Sequence, residues 1–401
     1  MVLPKSRDLF AEQEKKLRRG DPEIARLYLP DGKLPEVGSI LKNDDLAQTL
    51  DALAANGRDG FYRGPVAAAI IGAAQKGGGV ITLDDFARYE ARIVEPLSVD
   101  FRGYRLVAAP PPASGPVFFL AALKALEGES LGGGPLRTPA NLDLLGRLWH
   151  ALSPDVWRIV GDAPAVRREV ETYLAPASIE SLRAHALMPG PVKKAAWLSE
   201  SDWFESEMAA TTHWIVADAE GNIVCATQSL SLHFGAGVVA PGTGVVLNDS
   251  MSNLTFDDTR SSNYASPGRR ARSTIGPTIV FRGGKPVFAL GIPGAARIPT
   301  AMLQVLLDRL VLNRPLAEAI GDTRFHYATT ARAGDPEPFE AERSFPDADA
   351  AALRARGWEV DLPEEAGRGR HFGGLNAIEI NADGSKSGIP DPRRTNAAVG
   401  Y

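Results

Sequence analysis

The chain has 401 residues, 44% apolar and 23% charged, an ordinary balance for a globular protein of one large or two ordinary domains. Its net charge of −5 argues against nucleic acid or an anionic membrane surface as partner, and its single cysteine, Cys225, excludes an internal disulfide. No run approaches the roughly 18–20 apolar residues that span a bilayer, and the charged start MVLPKSRDLFAEQEKKLRRG lacks an apolar secretory core, so the sequence as written reads as cytoplasmic; a longer start bearing a signal would make it periplasmic or secreted.

The first half reads as largely helical. Residues 44–55 open with capping-type acids and set Leu46, Leu50 and Leu53 on one face. Residues 65–75 start with a proline suited to a first helical turn and stop at Gly77, Gly78 and Gly79, a helix terminator, because no Lys-Ser/Thr pair follows to make a phosphate loop. Thr82 to Phe86 reads as another capped helix start. Residues 102–107 read as a strand entering the rigid turn Pro110 to Gly115.

The second half changes period. Three strand–turn–strand units carry turns at Asp218 to Asn222, Arg282 to Pro286 and Asn381 to Ser385. An amphipathic helix spans Ile298 to Leu312, with Met302, Val305, Leu306 and Leu310 at helical spacing. Strand pairs alternating with helices suggest sheets covered by helices. Cys225 lies in an apolar strand pattern and reads as a packed thiol; Arg269, Arg270 and Arg272 read as a short solvated loop. Arg297 stands at a helix start, where a positive charge opposes the macrodipole, so it calls for a specific partner.

Thr211 opens the first of these hairpins. A hydroxyl residue there becomes a nucleophile if the chain is cut just before it. Cleavage between Ala210 and Thr211 would leave Thr211 with a free α-amine, of pKa about 7.7–8.0, beside its own Oγ. One residue then supplies both attacking oxygen and proton acceptor. Thr-Thr-His before a strand is otherwise unremarkable, since β-branched residues favour strands.

From about residue 38 onward the chain resembles the γ-glutamyltranspeptidase family of N-terminal-nucleophile hydrolases. The resemblance rests on Thr211-Thr212-His213 with its hairpin, FGAGVVAPGTGVVLND (234–249), RSTIGPTIV (272–280), PGAARI (293–298), TRFHY (323–327) and the ending Asp391-Pro392-Arg393 to Gly400-Tyr401. It implies an α+β fold, an αββα sandwich with two antiparallel sheets between helical layers. It also implies a precursor that cuts itself into fragments 1–210 and 211–401, a large-subunit-like helical part and a small-subunit-like strand-rich part that stay together as one structural domain. By the same resemblance Thr211 is the autoprocessing residue and nucleophile, Ser229 a second hydroxyl near it, and the backbone N–H groups of Gly294 and Ala295 the oxyanion hole. Alanine at 295 keeps the N–H but is strained if the peptide needs φ > 0.

The family's substrate-holding positions fall here on Ser231, Ser250, Asn253, Ser273 and Thr274. The aspartate that meets a substrate α-ammonium in the family is replaced by neutral Asn253, which accepts a hydrogen bond but cannot neutralise a charge. Ser273 and Thr274 precede Gly276-Pro277, so a structural turn competes with a site role. Family members also carry a long preceding segment, supplying inner strands and an arginine, that nothing here matches. His213, His233 and His326 do not fall at metal-ligand spacing, and Asp249, Asp257 and Asp258 read as caps and turns, so neither metal nor other cofactor is expected.

The expected function is amide-cleaving acyl transfer from a small-molecule donor, to water or an acceptor amine, with γ-glutamyl compounds first. The alternative is an amidohydrolase or acylase for an acyl group without an α-amine, dicarboxylic or cephalosporin-like. A reading of another class is an inactive remnant, or a binding subunit that needs a partner chain or an upstream-encoded segment.

Overall fold

The computed structural model describes residues 1–131, 135–188, 210–328, 337–362 and 371–400. They form two compact units, Met1–Val94 with Ser229–Ser250, and Glu95–Gln228 with Met251–Tyr401. Among the described residues, no helix is long and apolar enough to cross a membrane.

The first unit is helical: α1 (Pro4–Glu12), α2 (Glu14–Arg19), α3 (Pro22–Tyr28), α4 (Asp44–Asn56), α5 (Asp59–Tyr62), α6 (Gly64–Lys76) and α7 (Leu83–Arg88). Local chemistry sets the boundaries. The Asn43 side chain accepts from the Leu46 N–H to cap α4, and Thr82 with Asp85 forms a reciprocal capping box on α7. α6 stops at the predicted glycines, Gly78 taking φ 86°. The expected Leu face of α4 differs from the buried one: Leu50 is exposed, and the buried residue is Thr49, whose hydroxyl donates to the Thr243 carbonyl. A small core of Phe10, Leu17, Ile24 and Leu27 closes on Val239, and Lys16 donates to the His233 and Gly235 carbonyls.

The second unit contains β1 (Leu97–Phe101), β2 (Tyr104–Ala108), α8 (Gly115–Ala125), α9 (Pro139–Ile159), α10 (Val166–Tyr173) and α11 (Pro176–Ala186). The hairpin β3 (Thr211–Ala217) and β4 (Ile223–Ser229) follows, then β5 (Thr278–Arg282), β6 (Lys285–Gly291), α12 (Arg297–Leu310) and α13 (Leu316–Gly321). The chain ends with β7 (Phe325–Tyr327), β8 (Glu337–Ala341), α14 (Asp347–Arg354), β9 (Trp358–Asp361), β10 (Asn376–Ile380) and β11 (Lys386–Pro390).

An antiparallel six-stranded sheet runs β1-β2-β5-β6-β10-β11, and β3-β4 forms a second, antiparallel one. Register pairs Leu106 with Val280 and Leu290 with Ala377, which puts these side chains into one core with α8, α9 and α12. Gly291 and Asn376 pair on the opposite face, beneath β3. Helices, six-stranded sheet and hairpin thus stack as the α, β and β layers of an αββα sandwich. A small third sheet, β7-β8-β9, adds a parallel pair that the sequence did not announce.

All three predicted hairpins form. Residues Arg102 and Gly103, read as strand, are instead the turn between β1 and β2, with φ 48° and 78°. α12 is buried almost all round rather than amphipathic. The basic cluster is not a solvated loop: Arg270 pairs with Asp162, Arg269 donates to the Asp162 carbonyl, and buried Arg272 lies over the Trp157 ring and donates to the Trp157 carbonyl.

Candidate active site

Thr211 is the first residue of β3, half-buried, its carbonyl within 3.5 Å of Arg394 Nη1. Two residues on, the buried His213 ring anchors the strand: its Nδ1 is 2.8 Å from Thr227 Oγ1, and its carbonyl accepts from Asn376 Nδ2 at 2.9 Å. Burial lowers the imidazole pKa to about 4, so at neutral pH it is an uncharged packing group rather than a base. Cys225, below it, has its Sγ 3.5 Å from the Leu290 carbonyl, and burial pushes the thiol up to about 12. It is a packed thiol, as its strand pattern suggests.

The loop Pro293-Gly294-Ala295 joins β6 to α12. Ala295 takes φ 50°, the left-handed region that L-residues occupy at a cost of order 1–3 kcal/mol. Each carbonyl of this loop is held. Pro293 O accepts from Gly374 N at 3.3 Å, Gly294 O from Arg297 N at 3.0 Å, and Ala295 O from Ile298 N at 3.1 Å and Thr274 Oγ1 at 2.9 Å. Among the described residues, neither the Gly294 nor the Ala295 N–H has a backbone acceptor.

Gly374 links this loop to the start of β3. A β-carbon there would lie 2.8 Å from Arg394 Cβ and Cγ, so the arginine that reaches Thr211 O lies across the residue that holds Pro293 O. The second unit by itself therefore connects the start of β3 to the 293–295 loop.

The remaining predicted residues are distributed differently. In the first unit, Ser229 ends β4 and its Oγ accepts from Ser231 N, Ser231 is buried at φ 70°, and the Ser250 N–H donates to Asn248 Oδ1. In the second unit, Asn253 closes the 3₁₀ turn Ser250–Asn253 and its carbonyl accepts from Asn263 Nδ2. The Ser273 backbone is tied to Ser114 and Pro112. Ala210 is half-buried; residues 189–209, before the expected cut, lie outside the described residues.

Behind the loop, Arg297 is 2% exposed and its Nη2 meets both oxygens of Glu340, at 3.1 and 2.9 Å. Glu340 also lies 2.9 Å from His371 Nε2. Burial works against the Glu340 charge, but the His371 hydrogen bond and the nearby cationic groups outweigh it and hold the carboxyl well below its usual range. Sequence reading asked for a partner to Arg297 without finding Glu340, and missed His371, Gly374 and Arg394. The double glycine 373–374 was the one local signal. Among the described residues, no group of three or more His, Cys, Asp and Glu could hold a metal ion.

Fold and sheet order define an N-terminal-nucleophile hydrolase class of protein. The family profile described as Gamma-glutamyltranspeptidase matches residues 1–401, and the chain belongs to that family, whose members are hydrolases and transferases. It is 33% identical over 368 residues to the Acylase ACY 1 proenzyme of Pseudomonas sp. (strain SE83), covering 92% of this chain and 63% of the relative. To the Glutathione hydrolase proenzyme of Escherichia coli (strain K12) it is 29% identical over 376 residues, again 92% and 63%. The crystal structure of cephalosporin acylase from Bacillus halodurans superposes with a TM-score of 0.82 at 25% identity, over 100% of this chain and 71% of that one. The chain thus spans somewhat under two thirds of the length of these curated relatives.

Proposed function

We propose that this chain is a self-processing, amide-cleaving acyl-transfer enzyme with Thr211 as nucleophile. The observation that carries this reading is the joining of the Thr211 strand start to the 293–295 loop through Arg394 and Gly374. After scission of the Ala210–Thr211 bond, Thr211 Oγ attacks the substrate carbonyl and its proton passes to the new α-amine. The Gly294 and Ala295 N–H groups receive the developing oxyanion, an interaction of which one donor is typically worth roughly 10²–10³ in rate. Collapse breaks the C–N bond, the amine leaves with that proton, and water or an acceptor amine releases the acyl group from threonine.

The acyl group favoured is one without an α-ammonium, such as a glutaryl or cephalosporin side chain, ahead of γ-glutamyl. Neutral Asn253 in place of the family's aspartate supports this, as does the similarity to acylases alongside glutathione hydrolases. Mass spectrometry of the purified protein tests the core of the reading. Fragments 1–210 and 211–401 are expected, with an uncut, inactive Thr211→Ala variant; turnover by that variant overturns it. Higher kcat/KM on glutaryl than γ-glutamyl anilide is the expected substrate result, and the reverse restores the transpeptidase reading.

A second reading concerns a partner. Among the described residues β3 pairs with β4 alone, and it lines a cleft of about 860 Å³ together with Ile378, Gly388 and Ile389. Trp214, Val216 and Val224 stand exposed on the hairpin. An open edge beside apolar side chains is a template for another strand. A strand-forming segment, of the kind the longer relatives have room for, pairs with β3 and is needed for full activity. Slowed amide exchange across 212–217 on adding such a segment supports this; full activity with β3 exchanging freely rejects it.

A further inference from the structure

We infer that Glu340 is a positioning residue for the oxyanion loop, orienting both of its N–H groups from behind. The inference rests on the reading of Gly294 and Ala295 proposed above.

A trans peptide is planar, with its C=O and N–H pointing opposite ways. The direction of each loop N–H is therefore set by whatever holds the carbonyl of the same peptide plane. For the Gly294 N–H that carbonyl is Pro293 O, held by Gly374 N. For the Ala295 N–H it is Gly294 O, held by Arg297 N. One carboxylate contacts the side chain of one holder and the segment that leads into the other. Glu340 accepts two contacts from the Arg297 guanidinium, and it meets His371, two residues before Gly373 and three before Gly374. Its own place is fixed by the β7 and β9 ladders on either side of β8, where His326 pairs with Glu340 and Glu340 with Asp361.

The arrangement has reason to need such a fixture. The left-handed Ala295 lacks glycine's freedom and persists only if its surroundings over-determine it. Thr274 Oγ1 donates to the Ala295 carbonyl at 2.9 Å and so braces the loop as well. Arg297 is nearly inaccessible to water, its Nε and Nη1 without partners in the structure, so the Glu340 contacts are its side-chain anchorage among the described residues.

The test is Glu340→Gln in the full chain, assayed on the better anilide, with melting temperature and exchange of the 291–298 segment recorded. Expected are a 10- to 100-fold fall in kcat with KM within threefold of the parent, and faster exchange across 291–298 while the 211–217 strand stays protected. Unchanged kcat in a folded variant overturns the inference. If the parent shows no turnover, the exchange result decides: unchanged 291–298 protection overturns it. Should Glu340→Gln fail to fold, His371→Phe cuts one arm only and His371→Gln restores a donor. Loss of kcat in the first and recovery in the second support the inference, and equal kcat in both rejects it. Loss of turnover on Thr211→Ala with none on Glu340→Gln would fault Glu340 alone, whereas turnover surviving Thr211→Ala would fault the parent reading.

Discussion

The His213 ring lies so close against Gly291 that a β-carbon on residue 291 would sit 2.3 Å from His213 Cε1. Gly291 is the last residue of β6 and leads directly into the 293–295 loop, so this contact sets how near β3 can approach that loop. Gly291→Ala must push the ring and β3 away, an overpacking that costs typically about 1–3 kcal/mol. Gly72, inside α6, is the contrast: nothing lies within 4 Å of its β-carbon position and its φ is ordinary. Gly72→Ala should stabilise by roughly 0.5–1 kcal/mol through helix propensity. Denaturant melts of the two variants are expected to move in opposite directions, with self-cleavage and turnover impaired only by Gly291→Ala.

The same histidine predicts a pH dependence of stability. Its pKa is about 6.5 when unfolded and is lowered to about 4 in the fold by burial. Between these values the unfolded chain binds the extra proton, so stability rises with pH across this window. The contribution is intact above about pH 6.5 and is lost as pH falls toward 4, totalling roughly 3 kcal/mol. Replacing His213 with Asn removes the titrating group. Its unfolding free energy should therefore vary less between pH 7 and pH 5 than that of the parent, and parallel curves would refute the assignment.

How far these features were legible follows from their range in sequence. The α4 and α7 caps, the α6 terminator and the hairpins β3-β4, β5-β6 and β10-β11 are local, set by residues within a few positions of one another, and were readable. Thr211 at a strand start was readable for the same reason. β1 was missed because its pattern is half-exposed, and Arg102-Gly103 looked like strand because only backbone geometry reveals two successive left-handed residues. Glu340 was invisible for another reason. Forty-three residues separate it from Arg297, and nothing in a five-residue exposed-looking strand marks a carboxylate as the partner of a buried guanidinium.

Substrate choice gives a direct exchange. If Asn253 stands where the family keeps an acid, Asn253→Asp supplies the missing negative charge for an α-ammonium. A desolvated pair gains several-fold to many-fold in discrimination, each tenfold step being about 1.4 kcal/mol. The γ-glutamyl to glutaryl ratio of kcat/KM is expected to rise at least tenfold in this variant. An unchanged ratio would remove Asn253 from the substrate-holding set while leaving the acyl-transfer chemistry untouched.

The C-terminal segment that delivers Arg394 to Thr211 is itself held by a buried ion pair. Arg324 and Asp391 are 1% and 0% exposed and meet at 2.7 Å, and Asp391 Oδ2 also accepts from Leu375 N. Burial lowers the Arg324 pKa to about 10 against the opposing pull of Asp391, yet leaves it charged at neutral pH. Asp391→Asn keeps one hydrogen-bond acceptor but strands that charge. Breaking one side of such a pair costs roughly 3–5 kcal/mol, because the remaining ion stays desolvated. Arg393 joins the same carboxylate through Oδ1 and reaches Glu342, so the neighbouring arginine shares the loss. The variant should unfold at markedly lower denaturant than the parent. Because Asp391 and Arg394 lie three residues apart in one short segment, it should also cleave before Thr211 more slowly at temperatures where it remains folded. Retained stability within about 1 kcal/mol would mean that the pair is better solvated than its burial indicates.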